Sequence, residues 1–382
     1  MSANGNAFGA IFEHHVTSWL VAIISVSFIV RLYISFIGDP FLYSGDSYSY
    51  VREAEAILAG NWSTRLPKGY PFIIAVFSVI FGDLRDPALI VLNAVMWSGS
   101  AVIAFYLVRH RTGGEAWALL AALIVSFWPT HFIWTRSIMS EIPAAFLLAS
   151  GTALIWFRHH VCGALAIGFC VIVRPSLLPA VPLMSAVLLF RDGWKRAAMV
   201  LIVAILPQVA VSLIGSAKSP DYHSSHTAEA ILLSDVHRKD RSTFVYKGES
   251  TGEAVEKYLN NVISDPVRYF SLRAHFLNML WGPWPERNLG LGGKGPTSVK
   301  NNLLIGLQFP LIMLALLSFF YRRDLFGLFL LCPALALTVV HVLLFSTSRY
   351  NMTVIPLVSV LAADGLFILY AIVVRRSGRG AT

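Results

Sequence analysis

Charge is what this sequence has least of. Only 13% of its 382 residues are Asp, Glu, Lys or Arg, against about 25% in a soluble domain. Acids are the scarcer sign, 21 against 30 bases, for a net charge of +9. Nucleic-acid binding would need that surplus as a stripe on a polar domain. There is none, because the bases fall in short clusters between apolar runs. Cysteine is nearly absent: Cys162, Cys170 and Cys332 all lie in apolar runs. The first two are separated by roughly 12 Å of helix, too far to bridge. Buried free thiols are expected. A phosphate loop is also lacking, since Gly292-Gly293-Lys294-Gly295 has no Ser or Thr after the lysine and no strand before it. No inverted repeat of the kind that builds transporters is visible.

What is present is hydrocarbon. The chain is 56% hydrophobic with a mean hydropathy of +0.65, which points to an all-α polytopic membrane protein. The apolar runs predict spans at about 17–37, 88–108, 116–134, 138–157, 161–173, 176–190, 197–215, 302–320, 325–345 and 351–374. A crossing helix needs about 17–25 residues, so the pair flanking Arg174-Pro175 is short. No Lys or Arg precedes Thr17 and no small-residue cleavage site follows Ile37. The first run therefore reads as a retained span rather than a removed signal peptide.

Short basic connections set the sidedness. Arg109 with Arg111, Arg158, Arg191 with Lys195 and Arg196, Arg322 with Arg323, and Arg375 with Arg376 and Arg379 recur on alternate connections. The positive-inside rule makes these cytoplasmic. Both termini then lie in the cytoplasm, and two long loops, 38–87 and 216–301, lie outside. The whole of 1–382 reads as a single membrane-embedded module. Pro71 to Gly82 is apolar but only 12 residues long, too short to span. It reads as a helix on the outer membrane surface, with a re-entrant segment as the alternative. In the second loop, Asp265-Pro266 reads as an N-cap followed by Pro at the first helical position. The helix it opens, to about Trp281, would turn Val267, Phe270, Leu277 and Leu280 toward lipid or protein, and Trp281 and Trp284 suit a membrane interface.

Two acids stand at the expected outer boundary: Asp46, in Ser44-Gly45-Asp46-Ser47-Tyr48, and Glu141, in Ser140-Glu141-Ile142-Pro143. Carboxylates there are costly to keep and mark function by default, although Asp46 also suits a turn and Glu141 a helix cap. Arg136, Arg174, Arg349 and Lys68 are cations on the same side. Arg136 equally suits a snorkelling headgroup anchor. Arg174, held at depth between short helices, needs an anion or a wet cavity. Cations hold a phosphate whose charge grows as a sugar leaves it. Carboxylates orient or deprotonate the incoming group. His223 and His226, near Asp221, would make half of a divalent-metal site, but a third ligand is missing and a hydrated loop is the plainer reading. Asn61-Trp62-Ser63 matches a glycosylation acceptor, which matters only in a eukaryotic secretory pathway. No cofactor is certain from the sequence, and a divalent metal is the one left open.

These residues resemble a family. Asp46-Ser47-Tyr48-Ser49-Tyr50, followed by Ala56-Ile57-Leu58-Ala59-Gly60-Asn61-Trp62, looks like the first outer loop of C-type glycosyltransferases. These include dolichyl-phosphate-mannose protein mannosyltransferases and bacterial aminoarabinose transferases. Lys68-Gly69-Tyr70-Pro71 and Phe81-Gly82 resemble the family's proline-headed surface helix and its close. Ser140-Glu141 resembles its second acidic position, Arg174-Pro175 its basic residue before proline, and Arg349-Tyr350 with Pro356 its late Arg-Tyr motif. The resemblance implies an integral membrane enzyme that moves a sugar from a polyprenyl phosphate to a glycan, lipid or protein acceptor outside the cytoplasm. It implies a bacterial inner (plasma) membrane as the location and membrane lipids as neighbours. Asp46 and Glu141 would be catalytic, with Asp46 as base; Lys68, Arg174 and Arg349 would hold the donor phosphate; Tyr50, Tyr70, Arg136 and Tyr350 would touch substrate. Two departures stand out: Ser47 replaces the second acid of an Asp-Glu pair, and Lys68-Gly69-Tyr70-Pro71 replaces Lys-Pro-Pro. A transporter or flippase of lipid-linked sugars is the alternative reading.

Overall fold

A computed structural model describes residues 4–37, 46–61, 66–82, 87–128, 138–218, 250–282, 306, 308–344, 346 and 349–378. The helices, in chain order, are α1 (Asn4–Ile37), α2 (Asp46–Leu58), α3 (Gly69–Phe81), α4 (Pro87–Thr112), α5 (Glu115–Ser126), α6 (Glu141–Trp156), α7 (His160–Val173), α8 (Ala180–Asp192), α9 (Trp194–Lys218), α10 (Thr251–Ser264), α11 (Pro266–Trp281), α12 (Gln308–Arg322), α13 (Leu325–Leu343) and α14 (Ile355–Gly378). Short 3-10 helices at Pro175–Leu177 and Tyr350–Val354 lead into α8 and α14. No strand occurs among the described residues. The protein is an all-α integral membrane protein.

Every expected span falls on a helix. Among the described residues, five stretches are long and apolar enough to cross a bilayer: His15–Phe36, Ala88–Thr112, Trp194–Ile214, Leu325–Leu343 and Tyr350–Val374. The other five expected spans coincide with α5, α6, α7, α8 and α12, which are 12 to 16 residues long. Helix α5 stops at Ser126, well short of the expected end near 134, and its last carbonyls are taken by side chains. Trp97 Nε1 donates to the Val125 carbonyl at 2.8 Å, Ser27 Oγ to the Ser126 carbonyl at 3.0 Å, and the fully buried Arg31 donates to Ser126 as well. A terminus satisfied this way needs no further turn. Helix α3 has 13 residues, about 20 Å at 1.5 Å per residue, so it does not cross a bilayer alone.

The bundle is wrapped around the start of α14, where residues 351–365 are all buried. Helices α4 and α6 pack on it. Gly151 and Gly163 let α6 and α7 approach so closely that a Cβ on either would meet the other's carbonyl oxygen at 2.7–2.8 Å. Small residues drive such contacts in lipid, where no hydrophobic force joins helices. Of the three thiols, none is in a disulfide. Cys170 and Cys332 are buried as expected, but Cys162 is exposed on the outward face of α7. An apolar run also lines the lipid side of a helix, so position in the run did not settle burial.

The charges divide between two ends. At one end, Asp364 of α14 is fully buried and accepts from Arg111 at 2.7 Å, Arg322 at 2.7 and 2.9 Å, and Ser318 at 2.6 Å. Arg111 also grips Asp324 at 3.1 Å, and Asp324 caps α13 through the Gly327 N–H. Nearby, Asp192 pairs with Arg158 at 2.6 Å and His160 at 3.0 Å. Trp156 against Phe326, with centroids 4.6 Å apart, ties the two clusters together. Four of the basic connections expected on one side thus share one end of the bundle. The opposite end carries Lys68, Glu141, Arg174 and Arg349.

Candidate active site

Local chemistry places each of these side chains. Pro175 pushes the residue before it out of helical geometry, so α7 ends at Val173 and Arg174 is extended, with φ −144° and ψ 86°. Lys68 is the N-cap of α3, and its carbonyl accepts the Phe72 N–H at 2.9 Å. Pro71 sits in the first turn of α3, where N–H groups lack helical partners, and so costs nothing. Gly69 is the contact point between α3 and α7. A Cβ there would lie 2.3 Å from the Val173 nitrogen and 2.5 Å from the Ile172 carbonyl carbon. Only a residue without a side chain lets Lys68-Gly69 lie against the backbone that leads into Arg174.

Glu141 opens α6, but it does not cap it. Its Oε1 lies 2.9 Å from Arg174 Nη1 and 3.4 Å from Arg349 Nε. The side chains are nearly sealed, at 4% exposure for Glu141, 9% for Arg174 and 19% for Arg349. Both guanidiniums also face the Tyr350 ring, at 4.7 and 5.3 Å from its centroid, a cation–π arrangement that strengthens when dry. His341 packs on the same ring at 4.4 Å. Arg349 Nη1 reaches Met139 Sδ at 3.6 Å. One carboxylate, two cations and an aromatic plate thus meet from three chain segments.

A second ion pair lies beside this one. Lys68 Nζ donates to Glu53 Oε2, with the two side chains 1% and 3% exposed. Glu53 shares the inner face of α2 with Tyr50, one turn earlier. Tyr50 donates to Ser140 Oγ at 3.1 Å, next to Glu141, and stacks edge-on against Tyr70 at 5.1 Å. Burial pushes the Tyr70 phenol up, so it stays neutral and keeps its proton to donate.

The structure therefore brings together Tyr50, Lys68, Tyr70, Glu141, Arg174, Arg349 and Tyr350. Asp46 heads α2, but its side chain lies outside the described residues, as does all of Arg136. His223, His226 and Asp221, Trp62 and Ser63, and the glycine-rich 290–295 loop also lie outside them. Among the described residues no three His, Cys, Asp or Glu side chains gather as metal ligands. Sequence reading missed Glu53 and quoted Ser140 only as the neighbour of Glu141. It also missed Asn351, which is fully buried behind Tyr350 and donates to the Leu280 carbonyl at 2.7 Å and to Gln308 at 3.3 Å. An apolar cavity of about 460 Å³ opens between α11, α12, α13 and α14, from Trp281 and Gly282 down to Leu331 and Leu361.

No family model matches the sequence, and no curated protein does either. Solved structures do match. ArnT from Cupriavidus metallidurans, crystallised bound to undecaprenyl phosphate, superposes with a TM-score of 0.56 at 17% identity, over 92% of this chain. Its apo form gives the same TM-score at 16% identity. The chain shares the fold of ArnT. It spans 60% of ArnT's length. The resemblance to C-type glycosyltransferases read from short motifs is thus borne out at the level of fold.

Proposed function

We propose that the protein is a glycosyltransferase that moves a sugar from a polyprenyl-phosphate donor to a glycan, lipid or protein acceptor on the non-cytoplasmic face of the membrane. The observation that carries this reading is the cluster of Arg174, Arg349 and Glu141 around Tyr350, with Lys68 beside it, buried at one end of the bundle. A phosphodiester is a monoanion, and Lys68, Arg174 and Arg349 would take it in competition with Glu53 and Glu141. The fold shared with a protein crystallised on undecaprenyl phosphate supports the same ligand class. The apolar cavity between α11, α12, α13 and α14 would accept part of the prenyl chain. The termini and the basic connections would lie in the cytoplasm, with 38–87 and 216–301 as loops of one module.

In the reaction, the sugar C1–O bond breaks and its electron pair stays on the phosphate oxygen. The acceptor's nucleophile bonds to C1 and gives its proton to a base. Lys68, Arg174 and Arg349 hold the growing charge on the phosphate, which is where fixed cations lower a barrier most. Position 46 shares the Tyr50 and Glu53 face of α2 by helical register, and Asp46 is the base in this reading. Glu141, already committed to two arginines, positions them and the acceptor.

Binding of undecaprenyl phosphate to the purified protein in nanodiscs tests this. A charge-assisted contact is worth about 1.5–3 kcal/mol, so Lys68→Ala, Arg174→Ala and Arg349→Ala should each weaken binding about 10- to 150-fold. Arg349→Lys should recover only part, because the planar fork is lost. Unchanged binding in all three would move the phosphate elsewhere and favour transport of a lipid-linked sugar. Mass spectrometry of envelope glycans with and without the gene would name the sugar and the acceptor.

A further inference from the structure

Glu53 belongs to no motif, yet it is one of the most deeply buried acids in the described chain, at 2% exposure. Its pair with Lys68 is hard to explain as a stabilising device. Two ions taken out of water lose several kcal/mol of hydration each, and apolar residues of similar size usually serve as well. The place is also wrong for a cation. Lys68 stands at the N-terminus of α3, where the helix dipole favours negative charge. That spot suits an anion, and in this structure Glu53 is an anion held there. Gly69 fixes the pair against the Ile172–Val173 backbone, one residue from Arg174. Tyr50, on the same face of α2, reaches Ser140 and so the residue before Glu141. The two acids thus do the same thing in adjoining places, each neutralising cations that the proposed reaction needs.

We propose that Glu53 is an exchangeable counter-ion for Lys68. It holds the ammonium while the site is empty, yields it to the phosphate of the lipid-linked donor, and reclaims it as the lipid phosphate departs. The inference rests on the function proposed above and adds a positioning residue to it. The need for such a residue comes from the charge of the product. The donor is a phosphodiester with one negative charge, whereas transfer leaves a phosphomonoester carrying about −1.5 to −2 near neutral pH. Uncompensated cations would bind that product more tightly than the donor and stall turnover. A resident carboxylate competes for Lys68 at every stage and weakens the hold on the product. Lys68 is the cation for this exchange because its flexible stem lets one ammonium turn between two acceptors, which a planar guanidinium does less readily.

The test uses the full chain in nanodiscs with undecaprenyl phosphate as probe and the uncharged polyprenol as control. Glu53→Gln should bind undecaprenyl phosphate about tenfold more tightly or better, the low end of one charge-assisted contact. It should release the probe more slowly, and Glu53→Asp should stay near the parent. In turnover, Glu53→Gln should lower KM for the donor and kcat together, because product leaves late. In the Lys68→Met background the Glu53→Gln change should have no effect on binding. That double variant, with both charges of the pair removed, also covers the case in which Glu53→Gln alone leaves Lys68 without this carboxylate and fails to fold. Equal or weaker binding by Glu53→Gln, while Lys68→Ala binds poorly, would make Glu53 a structural partner only and overturn the proposal. Unchanged binding in Lys68→Ala alongside weakened Arg349→Ala would overturn it too and leave the transferase reading standing. Loss of that reading would show differently, as unchanged binding in the Lys68, Arg174 and Arg349 variants alike.

Discussion

Replacing Gly69 by Ala tests whether the α3–α7 contact holds the site. The added Cβ would lie 2.3 Å from Val173 N, 2.5 Å from Ile172 C and 2.6 Å from Ile172 O. All three atoms are backbone, so none can swing aside. Ordinary contact begins near 3.4 Å, and one helix must therefore move by about 1 Å or more. Two effects oppose each other in stability. Gly→Ala at an unstrained position stabilises by about 0.4–1 kcal/mol through the unfolded chain. Overpacking costs about 1–3 kcal/mol, and backbone against backbone belongs at the upper end, so a net loss of about 2–2.5 kcal/mol is expected. Function should suffer more, because the shift separates Lys68 from Arg174, and a 1 Å misplacement can cost about 10²-fold in rate. The measurement is thermal unfolding and undecaprenyl phosphate binding of purified Gly69→Ala beside Gly252→Ala. At Gly252 an added Cβ meets only Ser250 Oγ at 4.0 Å, and that variant should be neutral or slightly more stable. Parental melting temperature and parental binding in Gly69→Ala would refute the idea that this contact sets the distance between the cations.

Asp46→Asn should reduce transfer by about 10²–10⁴, the usual loss of a general base, while undecaprenyl phosphate binding stays near parental; near-normal envelope glycan in that strain would remove Asp46 from the mechanism. Sidedness is open to cysteine labelling at Ser63, Glu256 and Ser377, in a background that lacks all three native thiols because Cys162 is exposed. Positions 63 and 256 should react in intact cells and 377 only after permeabilisation, and the reverse pattern would sink the outer-face site.

Much of the architecture was legible because bilayers leave few options. Backbone polar groups must be satisfied internally, so apolar runs become helices, and all ten runs did. The cap at Asp265 was also readable, since a carboxylate followed by Pro is local chemistry. Its side chain accepts the Arg268 N–H at 2.9 Å as expected. Ser250 and Glu253, a Ser-x-x-Glu pair that the sequence reading did not single out, form a full capping box at the head of α10. On α11, Val267, Phe270 and Leu277 are exposed while Leu280 is buried, so one apolar stripe serves both lipid and protein.

The partners of the charges were not legible, and the reason is physical. A single charge in an apolar run says that a partner exists, but the partner is chosen by tertiary packing. Arg31 sits in the first run and Asp364 in the last. Their partners include the Ser126 carbonyl, 95 residues away, and Arg111, 253 residues away. Glu53 was hidden differently. In Arg52-Glu53-Ala54-Glu55 it looks like one charge of a solvated helix face. Arg52 and Glu55 are indeed exposed, while Glu53 is sealed. Only the packing of α3 on α2 tells the two glutamates apart. The same packing has a chemical consequence. Lys68, Arg174 and Arg349 each face a carboxylate in this structure. Any phosphate that binds there must therefore displace or share with Glu53 and Glu141, and its affinity is a difference between two large interactions. On the proposed function, a site built this way would hold a lipid phosphate more loosely than its cation count suggests, which suits a carrier lipid released after each turnover.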